Sequence, residues 1–244
     1  MRVPLQIEPV LREVGRLAHR TGQSAYLVGG SVRDWQRGSH RAEDLDITVE
    51  GDGIGLAHAA GQALRGTVTA HRQFGTATLV LPGRVKGRVD FASCRREMYA
   101  RPGAYPRVEP GTLHDDLFRR DFTINAMAMT ILPAQFGTLI DPFGGVKDLE
   151  QRLLRVMHDQ SFLDDPSRIL RGIRFRHRFS LEWEPKTREY LRQAIRDGAL
   201  GLLNAGRLGK ELERMSQEPD PLGCVQELSA LLGGSRGRRV RARR

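Results

Sequence analysis

The sequence predicts an α/β domain followed by an all-α region. Short apolar runs near the start end at glycines or alternate with polar residues, which is typical of buried and half-buried strands. Apolar side chains over 10–18 recur at helical spacing, and from Asp115 onward the helical pattern dominates. We therefore predict an α/β domain over 1–140, helices over 141–232 and a disordered, arginine-rich tail over 233–244.

Each element has its own local signal. The run AYLV, 25–28, is a short buried strand that ends at Gly29 and Gly30. In DLDITVE, 44–50, apolar and polar residues alternate, so the polar side chains share one face. The proline- and glycine-rich stretch 100–111 is predicted to be a loop. Further strands are predicted at 76–81 and 88–93, and further helices at 54–64, 186–195, 208–215 and 221–232.

Composition narrows the class of protein. The 244 residues suffice for one large domain or two small ones, and 39% hydrophobic with 28% charged residues indicates a globular, soluble chain. No apolar run approaches the roughly 20 residues that span a membrane, and no apolar signal segment opens the chain. Two distant cysteines, Cys94 and Cys224, suggest neither a disulfide framework nor a zinc site. We expect a cytoplasmic protein with no membrane partner.

The net charge of +10 favours nucleic acid or another polyanion as a partner. Part of this charge lies in the final segment SRGRRVRARR, which is either a solvated end or a sequence-independent grip on phosphates. The arginines of this segment are Arg236, Arg238, Arg239, Arg241, Arg243 and Arg244.

Two carboxylates in the strand at 44–50 suggest a metal site. Asp44 and Asp46 are two residues apart and project from the same face. Adjacent carboxylates repel unless a cation neutralises them, and a hard divalent ion such as Mg²⁺ prefers such oxygen ligands. Asp90, in another predicted strand, is a candidate third ligand. On its own, an Asp-x-Asp pattern is more typical of a solvated strand edge.

A glycine pair before the carboxylates favours a phosphate site. Gly29 and Gly30 have no side chains, so a phosphate can approach the backbone closely. We expect the segment that begins at Ser31 to be helical, which adds a favourable dipole, and Arg33 to reach a triphosphate oxygen. The order Gly-Gly-x-x-Arg-Asp followed by Asp-x-Asp therefore predicts a triphosphate grip beside a metal site.

Four segments resemble, in order, motifs of the polymerase-β nucleotidyltransferase superfamily, and more narrowly of class II tRNA nucleotidyltransferases (CCA-adding enzymes) and bacterial poly(A) polymerases. GGSVRDWQRGSHRAEDLD resembles the catalytic motif, and DLFRRDFTINAMAM resembles the ribose-recognition motif. DPFGGVKDLEQRLLRV resembles the connecting motif, and DDPSRILRGIRFRHRF resembles the base-recognition helix. The resemblance runs over about 25–179 and implies a nucleotidyltransferase head, a mixed sheet with flanking helices, followed by an all-α neck.

The resemblance also implies roles for individual residues. Asp44 and Asp46 would bind Mg²⁺. With Asp90, which is a candidate from its predicted strand and not from the resemblance, they form the expected catalytic set. Asp121 and Asn125 would order the ribose pocket. The residues expected to bind the nucleotide in this part of the chain are Gly29, Gly30, Arg33, Asp34, Arg120, Asp121 and Asn125.

The base-recognition segment implies a protein template for the base edge. Asp165 would accept from the exocyclic amine that cytosine and adenine share, and Arg168 would donate to the ring nitrogen. We expect both on one helical face, with Arg171 and Arg174 continuing the row towards phosphates. Asp164 stands where the family usually has Glu. An amphipathic helix with a basic solvated face is the competing interpretation.

The implied function is template-independent, metal-dependent addition of CMP, AMP or both, from CTP and ATP, to the 3′ end of tRNA, with release of pyrophosphate. Full CCA, CC-only and A-only addition stay open, as does the oligomeric state. Family members usually continue into a long helical body and tail that hold tRNA, and we expect most of these to be absent here. The alternatives are poly(A) addition to general RNA and an inactive RNA-binding module, which the intact Asp44 and Asp46 disfavour.

Overall fold

The computed structural model describes residues 3–39, 44–82 and 87–239, with 234–239 described by their backbone alone. The chain divides into two compact units. The first contains Met1–Glu97 and Val108–Lys147, and the second contains Met98–Arg107 and Asp148–Arg244.

Strands are concentrated in the first unit. Those of the described residues are β1 (Ser24–Val28), β2 (Asp44–Glu50), β3 (Thr67–His71), β4 (Thr76–Val80), β5 (Arg88–Ser93), β6 (Arg95–Met98), β7 (Arg107–Pro110), β8 (Ala128–Thr130), β9 (Leu139–Ile140), β10 (Leu153–Leu154) and β11 (Glu182–Trp183). The helices are α1 (Glu8–Arg20), α2 (Gly30–Gln36), α3 (Gly53–Leu64), α4 (Leu113–Phe118), α5 (Gly145–Glu150), α6 (Ser161–Asp164), α7 (Ser167–Phe179), α8 (Pro185–Arg196), α9 (Ala205–Ser216) and α10 (Pro221–Arg239).

A seven-stranded mixed sheet forms the frame of the first unit, in the order β3-β4-β5-β2-β1-β8-β9. The central pair β2 and β5 is parallel, whereas β1 pairs antiparallel with both β2 and β8. Strands β6 and β7 form a separate two-stranded sheet. The predicted α/β head with a mixed sheet and flanking helices is therefore confirmed.

Alternation along β2 separates the core from the solvent-facing side. Leu45, Ile47 and Val49 are at most 2% exposed, whereas Asp44 and Asp46 are exposed. Apolar side chains of α1 and α3 are also buried in the core of this unit. The hydrophobic effect therefore sets the register of β2, and that register directs both carboxylates away from the core.

The second unit is mainly helical. It contains α6 to α10 and one short parallel pair, β10 with β11. Apolar side chains of α7 and α8, among them Ile169, Ile173 and Leu191, are completely buried. This confirms the predicted all-α region. Among the described residues, no helix combines the length and apolar character needed to cross a membrane.

Three parts of the chain differ from the sequence-based expectation. Strand β7 lies inside the predicted loop 100–111 and pairs with β6. Because β7 is an edge strand of a two-stranded sheet, Pro110 is tolerated at its end despite lacking a backbone N–H. Strands β8 and β9 lie where helix was expected, because a short apolar run has no period that separates strand from helix. The division between units falls after Lys147 rather than at 140, and 98–107 belongs to the second unit.

The predicted disordered tail also differs in its described part. Helix α10 continues to Arg239, so 233–239 is helical; extending an existing helix adds one hydrogen bond for each residue ordered. The side chains of Arg236, Arg238 and Arg239 lie outside the described part, as do Arg241, Arg243 and Arg244 entirely. Their predicted role in binding phosphate stays a prediction.

Candidate functional site

Four charged side chains lie on one face of the sheet where β2 and β5 run parallel. In the register of this pair, Asp44 is opposite Arg88 and Asp46 is opposite Asp90. Residues two apart on a strand project to the same side, so three carboxylates and one guanidinium form a square. The structure thus brings together the three predicted catalytic residues and adds an arginine that the sequence analysis did not consider.

Contacts within this charge square are unequal. Nη2 of Arg88 lies 2.9 Å from Oδ2 of Asp90, and its Nε lies 3.9 Å from Oδ1 of Asp44. The Thr78 hydroxyl on β4 donates to Oδ1 of Asp90 at 2.6 Å. Both oxygens of Asp90 therefore have protein partners, whereas the side chain of Asp44 is 70% exposed.

The electrostatics of the charge square favour a bound cation. Desolvation by the surrounding protein raises the pKa of Asp46; the Arg120 guanidinium opposes this rise, and the neighbouring carboxylates Asp90 and Asp44 add to it. A raised carboxyl pKa means that the ionised form lacks sufficient compensation. A cation placed beside Asp46 would provide it.

The donor set fits a hard divalent ion that shares its ligands with a substrate. Mg²⁺ commonly binds through one or two carboxylates together with substrate phosphates and water, and Asp44 and Asp46 offer two exposed carboxylates on one face. In the described ranges, no group of three or more His, Cys, Asp or Glu side chains is arranged to hold a metal ion. The protein by itself therefore provides a partial coordination shell.

The glycine pair makes room for a close approach. Gly29 has φ 73°, a conformation that disfavours other residues, and Gly30 begins α2. A Cβ at Gly29 would lie 2.9 Å from Nη1 of Arg120 and 3.7 Å from Oδ2 of Asp46. The absence of a side chain at this position therefore lets Arg120 lie beside the charge square.

Arg120 is held by a buried carboxylate. Its Nη2 donates to Oδ2 of Asp116 at 3.0 Å, and Arg119 donates to Oδ1 of the same residue at 2.9 and 2.7 Å. Asp116 is completely buried; burial favours its neutral form, but the two guanidinium groups outweigh this and lower its pKa. Nε of Arg120 is buried and makes no hydrogen bond with the described residues. Arg120 is therefore fixed at one end, and its buried Nε lacks a partner among the described residues.

A second network joins two distant motifs. Arg33 is buried and donates to both carboxylate oxygens of Asp34 at 2.9 Å and to Oδ1 of Asn125 at 2.6 Å. Asn125 in turn donates to Oδ1 of Asp121 at 2.9 Å, and so does the backbone N–H of Phe122. The predicted nucleotide-binding residues around Arg33 are thus brought together, although the Arg33 guanidinium is already engaged by protein groups.

In the second unit, Asp165 and Arg168 do not share a helix. Asp165 has an extended conformation after α6, and α7 starts only at Ser167. This differs from the expected common helical face, because Pro166 disfavours a helical conformation for the residue before it. Arg168 is buried in the first turn of α7, and its N–H donates to the carbonyl of Asp165 at 3.0 Å. The two residues are therefore adjacent despite the break.

The side chain of Asp165 is oriented by several donors on one oxygen. Oδ1 accepts from the N–H and the hydroxyl of Ser167 at 3.0 and 2.6 Å, and from Nη2 of Arg207 in α9. Arg207 also lies with its guanidinium carbon 5.7 Å from the centre of the Tyr105 ring. Oδ2 accepts no hydrogen bond from the described residues and is still available as an acceptor.

The remaining arginines of α7 have different surroundings. Arg174 is buried and paired with Glu211 at 2.8 Å and Glu218 at 2.9 Å. Two carboxylates neutralise this guanidinium, which argues against its expected contact with phosphate. Arg171 is half-buried, with its guanidinium carbon 5.5 Å from the centre of the Phe175 ring.

Asp164 contacts the same region through His158. Nε2 of His158 lies 3.8 Å from Oδ2 of Asp164. Burial raises the pKa of Asp164, against the opposing charges of His158 and Arg168. Asp164, although shorter than the Glu usual at this position, therefore lies close to His158 of the same unit.

Sequence reasoning missed three residues that organise these groups. Arg88 precedes Asp90 by two positions, a spacing that places both on one strand face, and Asp116 precedes Arg120 at helical spacing. Both signals were present in the sequence. Arg207 lies 42 residues after Asp165 and only tertiary structure joins them.

The mixed sheet and its flanking helices are those of a nucleotidyltransferase head domain. The chain belongs to the family of the poly A polymerase head domain, whose model matches residues 25–155. This confirms the resemblance seen in the sequence motifs.

The similarity of this chain to known proteins extends beyond the head domain. The chain is 41% identical over 224 residues to the A-adding tRNA nucleotidyltransferase of Halalkalibacterium halodurans, covering 91% of this chain and 52% of that protein. It is 41% identical over 225 residues to the CC-adding tRNA nucleotidyltransferase of Deinococcus radiodurans, covering 88% and 57%. A solved CCA-adding enzyme in its apo form II superposes with a TM-score of 0.89 at 40% identity, covering 94% of this chain and 54% of that one. The chain thus spans about half the length of these proteins.

The anchor of Arg120 makes a prediction about stability. Replacing Asp116 by Asn leaves Arg120 without its buried counter-charge, whereas Arg119 keeps Glu97 at 3.4 Å. We expect the free energy of unfolding at neutral pH to fall by about 3 kcal/mol. Because the folded-state pKa of Asp116 is lowered, its stabilisation is present above the ordinary pKa range of an Asp and is lost as the pH falls through the folded value. The difference between wild type and variant should therefore shrink in acid. Urea denaturation at several pH values measures it.

Asp115→Asn is the matched control. Asp115 lies one residue away and forms a capping box with Thr112 instead of holding arginines. Its loss should cost about 1 kcal/mol or less. Equal costs for the two substitutions, or a cost for Asp116→Asn that does not change with pH, would contradict the account of Asp116.

Proposed function

We propose that this protein is a metal-dependent tRNA nucleotidyltransferase that adds AMP, CMP or both to the 3′ end of tRNA. The observation that carries the proposal is the pair of exposed carboxylates on one strand, Asp44 and Asp46, beside Gly29 and the fixed guanidinium of Arg120. Relatives that share about 40% of their residues with the chain are named A-adding and CC-adding tRNA nucleotidyltransferases, which supports ATP, CTP and tRNA as substrates.

Asp44 and Asp46 are the residues that would hold Mg²⁺. When bound, a divalent ion supplies Lewis-acid stabilisation of the phosphoryl oxygens and a lowered pKa for an attacking hydroxyl. Asp90 has a different role in this proposal. One of its oxygens accepts from Thr78 and the other is ion-paired with Arg88, so it shapes the charge square rather than offering a free ligand.

The remaining residues of the head position the nucleotide. Arg120 would bind a phosphate or the ribose, and Asp116 keeps the guanidinium in place. Gly29 and Gly30 let phosphate oxygens approach the backbone. Arg33 and Asn125 form the wall of the ribose pocket, because their mutual hydrogen bond ties α2 to the segment after α4. Catalysis in such a site consists mainly of positioning and electrostatic stabilisation.

The second unit selects the base in this proposal. Oδ2 of Asp165 is available to accept from the exocyclic amine of adenine or cytosine, while Ser167 and Arg207 hold Oδ1. Arg168 donates to the neighbouring ring nitrogen. Uracil and guanine present a carbonyl and a protonated ring nitrogen at the same positions, so each would leave these protein groups without a proper partner.

The activity is tested by the length of RNA products. We expect the protein, with Mg²⁺ and labelled ATP or CTP, to extend tRNA that lacks its 3′ end or that ends in CC, and to stop at CCA. Asp44→Asn and Asp46→Asn should each lower the rate at saturating nucleotide about a hundredfold or more, since several kcal/mol of transition-state stabilisation are lost. Single-nucleotide gels measure both the rate and the stopping point.

Glu213→Gln is the control, because Glu213 is an exposed carboxylate on α9 and should keep the wild-type rate. Long adenosine tracts on tRNA that already ends in CCA would favour poly(A) addition to general RNA. Binding of tRNA without any extension would favour an inactive RNA-binding module. An Asp46→Asn rate within tenfold of wild type would contradict the assigned metal site.

Base selection gives a separate prediction. Arg168→Lys keeps the charge but loses the planar donor geometry, so we expect discrimination of ATP and CTP against GTP and UTP to fall by about 1 to 3 kcal/mol. The ratios of kcat/KM for the four nucleotides measure it. Arg192→Lys on the exposed side of α8 should leave these ratios unchanged. Unchanged ratios in Arg168→Lys would show that other residues choose the base.

A further inference from the structure

Arg88 is the positively charged member of the charge square and lies close to Asp44 and Asp90, whose negative charges repel each other. We propose that Arg88 is an internal counter-ion for Asp44 and Asp90 that competes with the divalent cation and leaves when the cation binds. The inference rests on the proposed function, because it assumes that Asp44 and Asp46 hold a metal ion. It assigns a role in metal affinity to a residue that is neither a ligand nor a contact of the nucleotide in the proposed site.

The register of β2 and β5 forces this proximity. Asp44 faces Arg88 across the parallel pair, and Asp90 follows Arg88 by two residues on the same strand. The guanidinium therefore reaches one carboxylate on each strand, at 3.9 Å for Asp44 and 2.9 Å for Asp90. Within the described residues, Arg88 is the cation that lies at ion-pair distance from either carboxylate.

Charge repulsion makes the two cations exclusive. A divalent ion bound to Asp44 and Asp46 would lie within a few ångströms of the Arg88 guanidinium in its present position, where like charges repel strongly. The same ion would also take up the charge of Asp44 that Arg88 now neutralises. Binding of the metal ion is therefore coupled to departure of Arg88.

Departure of Arg88 has a low cost. Its side chain is 56% exposed, and exposed ion pairs contribute little to stability because water and salt screen them. Thr78 still donates to Asp90 after Arg88 leaves, so this carboxylate keeps one partner. Arg88 therefore limits repulsion among the carboxylates when metal is absent and weakens the affinity for metal without blocking the site.

The proposal is tested by direct metal binding, with Mn²⁺ as the probe and electron paramagnetic resonance as the readout of free ion. Arg88→Gln removes the competing charge, so we expect Mn²⁺ to bind about threefold to tenfold more tightly than in wild type. Arg88→Lys keeps the charge and should have an intermediate affinity. Arg96→Gln is the matched control: Arg96 is 55% exposed and paired with Glu109 at 3.5 Å, and its loss should change the affinity less than twofold.

The outcomes separate this inference from the proposed function. Equal or weaker Mn²⁺ binding in Arg88→Gln, with wild-type binding that is lost in Asp46→Asn, overturns the inference and leaves the metal site intact. A similar gain in Arg96→Gln also overturns it, because the effect would then come from net charge alone. If wild-type protein binds Mn²⁺ no better than Asp46→Asn does, the metal site of the proposed function fails and the inference fails with it. Thermal unfolding in EDTA verifies that each variant is folded.

Discussion

Repulsion between carboxylates on one face of the sheet is the constraint around which the first unit is arranged. The apolar side of β2 must enter the core, and its alternation then directs Asp44 and Asp46 to the same exposed face. The parallel pairing with β5 brings Asp90 beside them. Burial of apolar residues thus concentrates negative charge at one place, and the surrounding structure must compensate for it.

Compensation for the charge of Asp46 comes chiefly from Arg120, which a buried group holds in place, whereas Arg88 is an exposed counter-charge. Arg120 lies beside Asp46 because Gly29 leaves space for it and Asp116 fixes its far end. Arg33 is tied to Asn125, which Asp121 orients. Arg120 and Arg33 are thus each held by a hydrogen bond to a carboxylate or an amide, which limits the movement of the guanidinium group. Such pre-organisation is what electrostatic catalysis requires, since dipoles and charges then need not reorganise during the reaction.

Sequence alone was sufficient for those parts of the site that depend on local periodicity. The strand spacing of Asp44 and Asp46 and the glycine pair before α2 follow from local patterns, and both the fold and the family were predictable from them. The face-to-face position of Asp46 and Asp90 depends on which strands pair, and the contact of Arg207 with Asp165 depends on helix packing. Neither of these two contacts can be predicted from the local sequence pattern. Arg174 continues a basic row in the sequence, yet Glu211 of α9 and Glu218 in the turn after α9 neutralise it.

The central claim is that Asp44 and Asp46 together bind a divalent cation shared with the nucleotide. Crystals grown with Mn²⁺ and a non-hydrolysable ATP analogue, measured at a wavelength where manganese scatters anomalously, test it most directly. The account predicts an anomalous peak within about 2.0–2.3 Å of an oxygen of each carboxylate, the distance range of hard cations with oxygen ligands, and in contact with the triphosphate. A bound nucleotide whose only manganese peak lies away from both carboxylates would contradict it.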